Sequence, residues 1–281
     1  MSAGFSLNDP FGRRAVGLSI AAAVGGFLFG FDSSVINAAV DSIESQFALN
    51  AVVTGFVVAV ALLGCAVGAV IAGVLSDRFG RLVVMRIGAV LFLASSIGAA
   101  LAVGVGDLIF WRVLGGLGIG IASVVAPAYI AEVAPSRIRG ALGSLQQLAI
   151  TLGIFAALLS DAILAEAAGS ASGTLWFGLE AWRWMFLVGV VPAAVYGVLS
   201  FTIPESPRFL IAKGRTDAAR AIFAKLMPAA ELESTMVEVG AAIAADGATG
   251  REVVREAART TGLELRDLGF TWVFAPVADV T

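Results

Sequence analysis

Long apolar runs constrain this chain more than any other feature of its sequence. Each run holds about 20 residues, which at about 1.5 Å per residue crosses a hydrocarbon core of about 30 Å. Strands of a membrane barrel are about 10 residues long and alternate in polarity, a pattern that is absent from these runs. We therefore predict an all-α membrane protein with six transmembrane helices. The predicted spans are 15–38, 52–75, 83–104, 108–131, 140–162 and 184–204.

Composition excludes several classes of protein. Hydrophobic residues make up 59% of the chain and charged residues 14%, whereas soluble domains are about a quarter charged. A net charge of −3 offers no basic surface to nucleic acid. Cys65 is the one cysteine and histidine is absent, so disulfide scaffolds, thiolate or imidazole metal sites and Ser-His triads are excluded. We expect no cofactor, no metal, no nucleic-acid partner and no enzymatic activity.

The distribution of basic residues predicts the orientation of the spans. Cytoplasmic connections of membrane proteins carry an excess of Lys and Arg. Arg183 is the basic residue on the opposite side, so we predict that both termini are cytoplasmic. The basic residues assigned to the cytoplasmic side are twelve: Arg13, Arg14, Arg78, Arg81, Arg86, Arg137, Arg139, Arg208, Lys213, Arg215, Arg220 and Lys225. The first span is too long for a secretory signal, and we expect it to be retained.

Two of the ionisable residues within the predicted spans stand out, because a charge at membrane depth is costly and points to function. Asp32 in the first span and Arg112 in the fourth both fall about 8–9 Å below the outer end of their helices. Equal depth predicts that they pair. The pair is either a static link between two helices or a switch, in which protonation of Asp32 releases Arg112 and changes the conformation.

Span five carries a polar stripe. Ser144, Gln147 and Thr151 are spaced three and four apart and share one helical face. The Gln147 amide both donates and accepts hydrogen bonds, which suits a polyhydroxylated ligand or, alternatively, a neighbouring helix. Gln146 points about 100° away, and we expect it to pack. In span four we interpret the glycines as close-packing positions; they are Gly115, Gly116, Gly118 and Gly120.

The cytoplasmic connections combine carboxylates with guanidinium groups. Residues 73–81 read GVLSDRFGR, which we predict to be a short charged turn, and Glu132 ends span four shortly before Arg137 and Arg139. Such groups at helix ends could clamp the cytoplasmic face in one state and release it in another. Solvated loop charge is the alternative.

Seven motifs together resemble the sugar porter family of the major facilitator superfamily. The resemblance runs from about residue 15 to about residue 235. The motifs are GFLFGFDSSVIN in span one, DRFGR at 77–81, FWRVLGGLGIG at 110–120, PAYIAEVAPSRIRG at 127–140, SLQQLAITLGI at 144–154, WRWMF at 182–186 and PESPRFL at 204–210.

The resemblance implies a role for each matching position. Asp32 matches a proton-coupling aspartate and Arg112 its partner, whereas Phe29 and Gln147 match positions that contact the sugar. A cytoplasmic charge network that latches the two halves is matched by Asp77, Arg78, Gly80, Arg81, Glu132, Arg137 and Arg139. Glu205 and Arg208 match the motif that leads into intracellular helices, here about 206–245. The chain departs from the family pattern at Val74 and Leu82, where basic residues are usual, and at Asp161, where asparagine is usual.

Family members have twelve spans in two halves, and the resemblance implies that this chain is the N-terminal half of that fold. We predict a six-helix bundle over 1–204, a cytoplasmic helical segment over 205–245 and a separate segment over 246–281. The implied function is membrane transport of a sugar, coupled to protons, in the cell membrane. The implied partners are sugar, proton, lipid bilayer and either a second six-helix half or a second copy.

The last segment resembles a fragment of family 3 glycoside hydrolases. Residues 249–281 predict a helix over about 250–267 followed by an apolar strand, and Asp279 matches a sugar-contacting aspartate of that family. A complete barrel needs about 200 residues or more. We expect a truncated or mis-joined reading frame. Two alternatives remain: a membrane-anchored hydrolase fragment, and a non-transporting sensor or partner subunit.

Overall fold

The computed structural model describes residues 10–135 and 138–245 of the chain. The predictions for 246–281, including the hydrolase-like helix and strand, lie outside these residues. By internal contacts the chain divides after Ser206 into two units, and each is described by itself below.

Among its described residues, the first unit has seven α-helices that make six membrane-length spans. Six helical stretches are long and apolar enough to cross a membrane, so the predicted all-α fold with six spans is confirmed. Two consecutive helices, α6 and α7, share the sixth span, Ala181–Thr202. The helices are α1 (Pro10–Phe47), α2 (Ala51–Phe79), α3 (Arg81–Ala100), α4 (Val105–Val133), α5 (Arg139–Ala168), α6 (Ala181–Val188) and α7 (Val190–Thr202).

The predicted charged turn over 73–81 is wrong in extent. Helix α2 continues to Phe79, and α3 begins at Arg81, so a single residue makes the reversal. That residue is Gly80, whose φ of 94° is accessible to glycine because it has no Cβ. Its backbone N–H donates to the Ser76 carbonyl at 3.0 Å, which satisfies one acceptor at the end of α2.

Glycine lets α2 and α4 pack backbone to backbone. A Cβ added at Gly116 or Gly120 of α4 would collide with the backbone of Ala61 or Cys65 on α2. Conversely, a Cβ at Gly64 of α2 would collide with the backbone of α4. The predicted packing role of the span-four glycines is therefore confirmed, since small residues are what permit close approach in membrane bundles.

Helices α1 and α5 run parallel and are also joined through glycines. Gly30 of α1 faces the Ile150 carbonyl, and Gly153 of α5 faces the Phe27 carbonyl. Gly26 of α1 lies against Gln146, so from Gly26 to Gly30 the facing α5 residue rises from 146 to 150, and the two helices point in the same direction. This register places α5 residues opposite α1 residues with numbers about 120 lower.

Toward the end of the bundle that carries the α5–α6 connection, the helices enclose an apolar cluster. Trp182 and Met185 of α6 are fully buried there against Val35 and Ile43 of α1. Aromatic and aliphatic side chains of α1, α5 and α6 thus form the core that surrounds the buried polar groups described below.

In residues 207–245, the described part of the second unit, the chain forms three helices: α8 (Pro207–Ala212), α9 (Thr216–Phe223) and α10 (Ala229–Ala245). Gly214, at a φ of 73°, makes the turn between α8 and α9, and an ion pair between Arg220 and Glu233 joins α9 to α10. The helical character predicted for this segment is confirmed. Its cytoplasmic location stays a prediction.

Candidate functional site

A buried ion pair joins α1 to α4. The Arg112 Nη1 atom donates to the Asp32 Oδ1 atom at 2.9 Å, and the two side chains are 3% and 7% exposed. The sequence prediction that these residues pair is confirmed. Each of these buried charges is stabilised by the other, because removing either one leaves its partner without solvent or counter-ion.

The surroundings of Arg112 are aromatic. The Phe186 ring of α6 lies 5.8 Å from the guanidinium carbon, within range of a cation–π contact. Within the described chain, the Arg112 Nε atom has no hydrogen-bond partner. Asp32 is therefore the main polar contact of Arg112. Neutralising Asp32 would leave the guanidinium without a counter-ion.

Gln147 lies exposed on α5. The hydroxyl groups beside it are occupied by their own helix: Ser144 Oγ donates to the Ala141 carbonyl and Thr151 Oγ1 donates to the Gln147 carbonyl. The Gln147 amide is thus the group on this stripe whose N–H donors are not used within its own helix. Phe29 is half-buried on α1, and its proximity to Gln147 stays a prediction.

Gln146 has the packing role that its angular position predicted. A Cβ added at Gly26 of α1 would lie 2.7 Å from the Gln146 Nε2 atom, so this amide already lies tightly against α1. Adjacent glutamines therefore have different environments, because α5 turns about 100° per residue and only one of them faces α1.

Arg81 is the centre of a polar network at the other end of the bundle. Its guanidinium binds Glu132 of α4 at 2.9 Å, Asp77 at 3.3 Å and the Ser76 carbonyl at 3.1 Å. Glu205 accepts hydrogen bonds from the backbone N–H groups of Arg81 and Leu82 at 3.0 and 3.3 Å, which caps the start of α3. The Glu132 and Arg81 side chains are about one-tenth exposed.

Other residues predicted for this network are placed differently. Arg78 is exposed and its guanidinium lies 5.4 Å from the ring of its neighbour Phe79. Arg139 is exposed at the start of α5. Arg137 lies outside the described residues, and Arg208 belongs to α8 in the second unit. The first unit brings together Asp77, Gly80, Arg81, Glu132 and Glu205.

Sequence reasoning missed a second polar network, called the Arg183 network below, which is formed by Arg183, Glu180, Gln46 and the end of α3. Arg183 Nη1 donates to the carbonyls of Ala100 and Ala102, both at 2.8 Å, and Nε donates to Glu180 at 2.6 Å. These bonds explain why α3 ends at Ala100, short of the predicted residue 104. The sequence did contain a signal for this network, because Arg183 is the lone basic residue assigned to its side of the predicted bundle.

The Arg183 network continues to α1. Gln46 donates to Glu180 at 3.2 Å and accepts from the Trp182 indole at 2.8 Å. Burial raises the pKa of Glu180, but hydrogen bonds from its own backbone and from Arg183, with the Arg183 charge, together hold that pKa below its usual value. Glu180 is therefore an anion that ties α1, α6 and the end of α3 together.

No metal-binding cluster of three or more His, Cys, Asp or Glu side chains occurs in residues 10–135 and 138–245.

Comparison with known proteins decides the family. The profile of the family described as "Sugar (and other) transporter" matches residues 18–274. The chain belongs to the sugar transporter family. It is a multi-pass membrane protein, and its fold is the N-terminal half of the major facilitator fold.

Individual sugar transporters support the assignment. The "Glucose transport protein" of Synechocystis sp. is 52% identical over 230 residues, which is 82% of this chain and 49% of that protein. The D-xylose-proton symporter of Escherichia coli is 37% identical over 237 residues, 75% of this chain and 47% of that protein. The solved structure of the proton:xylose symporter XylE bound to 6-bromo-6-deoxy-D-glucose matches with a TM-score of 0.80 at 33% identity, covering 88% of this chain and 57% of that one.

The chain thus spans about half the length of these relatives. The family match over residues 18–274 includes Asp32, Arg112, Gln147 and the network at Arg81.

Proposed function

We propose that this chain is one wall of a proton-coupled sugar transporter. The observation that carries the proposal is the buried ion pair between Asp32 and Arg112, 2.9 Å long, in a bundle of the sugar transporter family. An ionisable pair at membrane depth is expensive to maintain and is a functional feature by default. The relatives named as proton symporters of xylose, arabinose and galactose support the choice of ions and substrates.

In this proposal Asp32 is the proton-coupling residue and Arg112 responds to it. A proton bound to Asp32 neutralises the carboxylate and leaves the Arg112 guanidinium buried without its counter-ion. Leaving one member of a buried pair uncompensated costs about 3–5 kcal/mol. That cost is relieved when α1 and α4 move so that Arg112 finds water or another acceptor. Proton binding is thereby converted into a change of conformation.

The sugar-binding residues on this wall are Gln147 and Phe29. Gln147 is exposed on α5 and its amide both donates and accepts hydrogen bonds, which matches the alternating donors and acceptors of sugar hydroxyls. Phe29 offers an apolar surface to the face of a sugar ring. The substrate class is a monosaccharide, since similar proteins are named for transport of glucose, xylose, arabinose and galactose.

The network at Arg81 is proposed as a cytoplasmic latch. Its interactions join α2, α3, α4 and the segment after α7, so it holds several helix ends in one arrangement. Arg78, Arg137, Arg139 and Arg208 are proposed to join the latch when the transporter is assembled.

A complete transport path needs a second wall. In proteins of this architecture the substrate site lies between repeats that rock against each other. We infer that a second six-helix half, or a second copy of this chain, supplies it. Both termini of the chain are then cytoplasmic, and the transporter resides in the cell membrane.

The test is reconstitution of transport with a second half. The chain is co-expressed with the remaining half of the Synechocystis glucose transport protein, in cells without their own glucose uptake. We expect labelled glucose to accumulate only when both pieces are present, and more strongly with an inward proton gradient. Chain alone in proteoliposomes tests the second-copy alternative. If both pieces reach the membrane and form a complex that neither binds nor carries any monosaccharide, the proposal is wrong.

A further inference from the structure

Asp161 of α5 is a second buried carboxylate, and nothing above uses it. The residue is 2% exposed within the first unit. Neither of its carboxylate oxygens has a hydrogen-bond partner in the described chain. Asp32, at 5% exposure, is the other buried acidic side chain of the described bundle, and it is satisfied by Arg112. The two carboxylates are therefore in opposite situations.

The face of α5 that carries Asp161 is apolar. Ala157 lies one turn before it and Leu164 one turn after it, on the same side of the helix. Both are members of the apolar cluster that contains Trp182 and Met185 of α6. Asp161 is thus flanked along its own helix by apolar side chains of that cluster.

The cations near this end of the bundle are already engaged. Helix α5 packs against α1, α4 and α6. In the outer parts of those helices the basic residues are Arg112, bound to Asp32, and Arg183, bound to Glu180 and two carbonyls. The acidic residues there would repel a second anion; they are Asp32, Asp41 and Glu44 on α1, Asp107 on α4 and Glu180 before α6. At the other end the charged residues are Arg13 and Arg14 on α1 and Glu132 on α4.

We propose that Asp161 is a second proton-binding carboxyl of the bundle and holds a proton while Asp32 is ionised. An ionised carboxylate that is buried without a partner costs several kcal/mol, so such a group takes up a proton instead. The ligand of this site is the proton, which Asp161 takes from water on the side of the α5–α6 connection.

The register of α1 and α5 indicates what the site does. Asp161 lies opposite α1 residues about 37–41, which is about 10 Å nearer the α5–α6 connection than Asp32. It therefore lies between that surface and the coupling pair. Resting on the proposed function, the role is that of a second protonation site beside the coupling pair: Asp161 stays neutral while Asp32 alternates between its ion pair with Arg112 and a protonated form.

Infrared spectroscopy of the full chain in a maltoside detergent, which has no carbonyl group, tests the site without any sugar substrate. A protonated carboxyl has a C=O stretching band that a carboxylate lacks. We expect this band at neutral pH in the unmodified protein, in Asp32→Asn and in the surface control Asp41→Asn, and its loss in Asp161→Asn. Absence of the band from the unmodified protein, or its persistence in Asp161→Asn, would overturn the proposal.

Thermal unfolding of the same variants provides a second measurement. Asparagine has the size of a neutral aspartic acid, so Asp161→Asn should leave the melting temperature unchanged or raise it. A large drop would mean that Asp161 is an anion with a cationic partner, which contradicts the proposal. The infrared band does not depend on transport, so a protein that shows the band but carries no sugar keeps this site and loses only the proposed function.

Discussion

At the scale of single residues, the bundle separates buried polar groups that are paired from those that are not. Asp32 and Arg112 compensate each other at 2.9 Å, and Arg183 is satisfied by Glu180 and two carbonyls. Each pairing stabilises a buried charge in the conformation that keeps the two groups in contact. Protonation of such a site therefore alters the relative free energies of the two conformations.

The Gln147 side chain provides a residue-scale prediction for sugar binding. In the transporter assembled from two halves, Gln147→Ala should weaken sugar binding by about 1–3 kcal/mol, because a buried sugar hydroxyl loses its partner. Isothermal titration or substrate-protected melting measures the affinity. The control is Leu148→Ala, an exposed neighbour on the same helix. Unchanged affinity in Gln147→Ala would remove this residue from the sugar site.

Glu180 provides a prediction for pH dependence. Its pKa is lower in the folded chain than the usual 4.5, so its ionised form stabilises the fold above that value. This contribution is lost as the pH falls through the lower, folded pKa. We expect melting temperatures in detergent, followed from about pH 7 to about pH 3, to fall with acid more steeply in the unmodified chain than in Glu180→Gln. Identical slopes would show that the stability of the Arg183 network does not depend on the Glu180 charge.

At the scale of helices, close packing rests on glycine. Gly116 and Gly120 of α4 sit against the backbone of α2, where a methyl group does not fit. This contact sets the distance between the two helices, and through α4 it also fixes the position of Arg112 relative to α1.

Gly116→Ala should therefore destabilise the bundle. Inserting a methyl group into a well-packed contact costs about 1–3 kcal/mol. Gly106→Ala is the matched control, because it lies on the same helix and a Cβ there meets nothing within 4 Å. We expect a lower melting temperature for Gly116→Ala and an unchanged or higher one for Gly106→Ala. Equal melting temperatures for the two variants would contradict the packing account.

The sequence predicted helices better than it predicted their ends and connections. The lengths of the apolar runs located all six spans. Equal depth along two of those spans predicted the pair of Asp32 and Arg112, because depth follows from helix length alone. The end of α3 depends on Arg183, a residue about 80 positions away, so local patterns could not locate it. The turn at Gly80 was predicted too long, because one positive φ angle replaces several loop residues.

At the scale of the whole molecule, the first unit resembles one side of a transporter. Apolar side chains such as Leu152 and Phe155 of α5 are exposed in the six-helix bundle, and so are Leu62 and Leu63 of α2. Lipid covers such residues in a membrane, as does a second wall of six helices. The proposed orientation follows from the positions of the basic residues along the chain.

Reporter fusions test that orientation. Fusions after Asn50 and after Gly169 should behave as external, and fusions after Arg81 and after Gly214 as internal, because basic connections remain in the cytoplasm. An enzyme that is active on one side of the membrane provides the readout. An internal result at Gly169 would overturn the assigned orientation and with it the cytoplasmic location of the latch.

The central claim is that Asp32 couples proton movement to sugar movement, and the most direct test measures both fluxes together. Proteoliposomes containing the chain and a second half receive sugar in an unbuffered medium, while external pH and labelled sugar are recorded. We predict that sugar uptake alkalinises the medium. In Asp32→Asn we expect no alkalinisation and no accumulation, but continued sugar exchange, and in the exposed control Asp41→Asn we expect normal behaviour. Sugar-driven proton uptake that persists in Asp32→Asn would contradict the account.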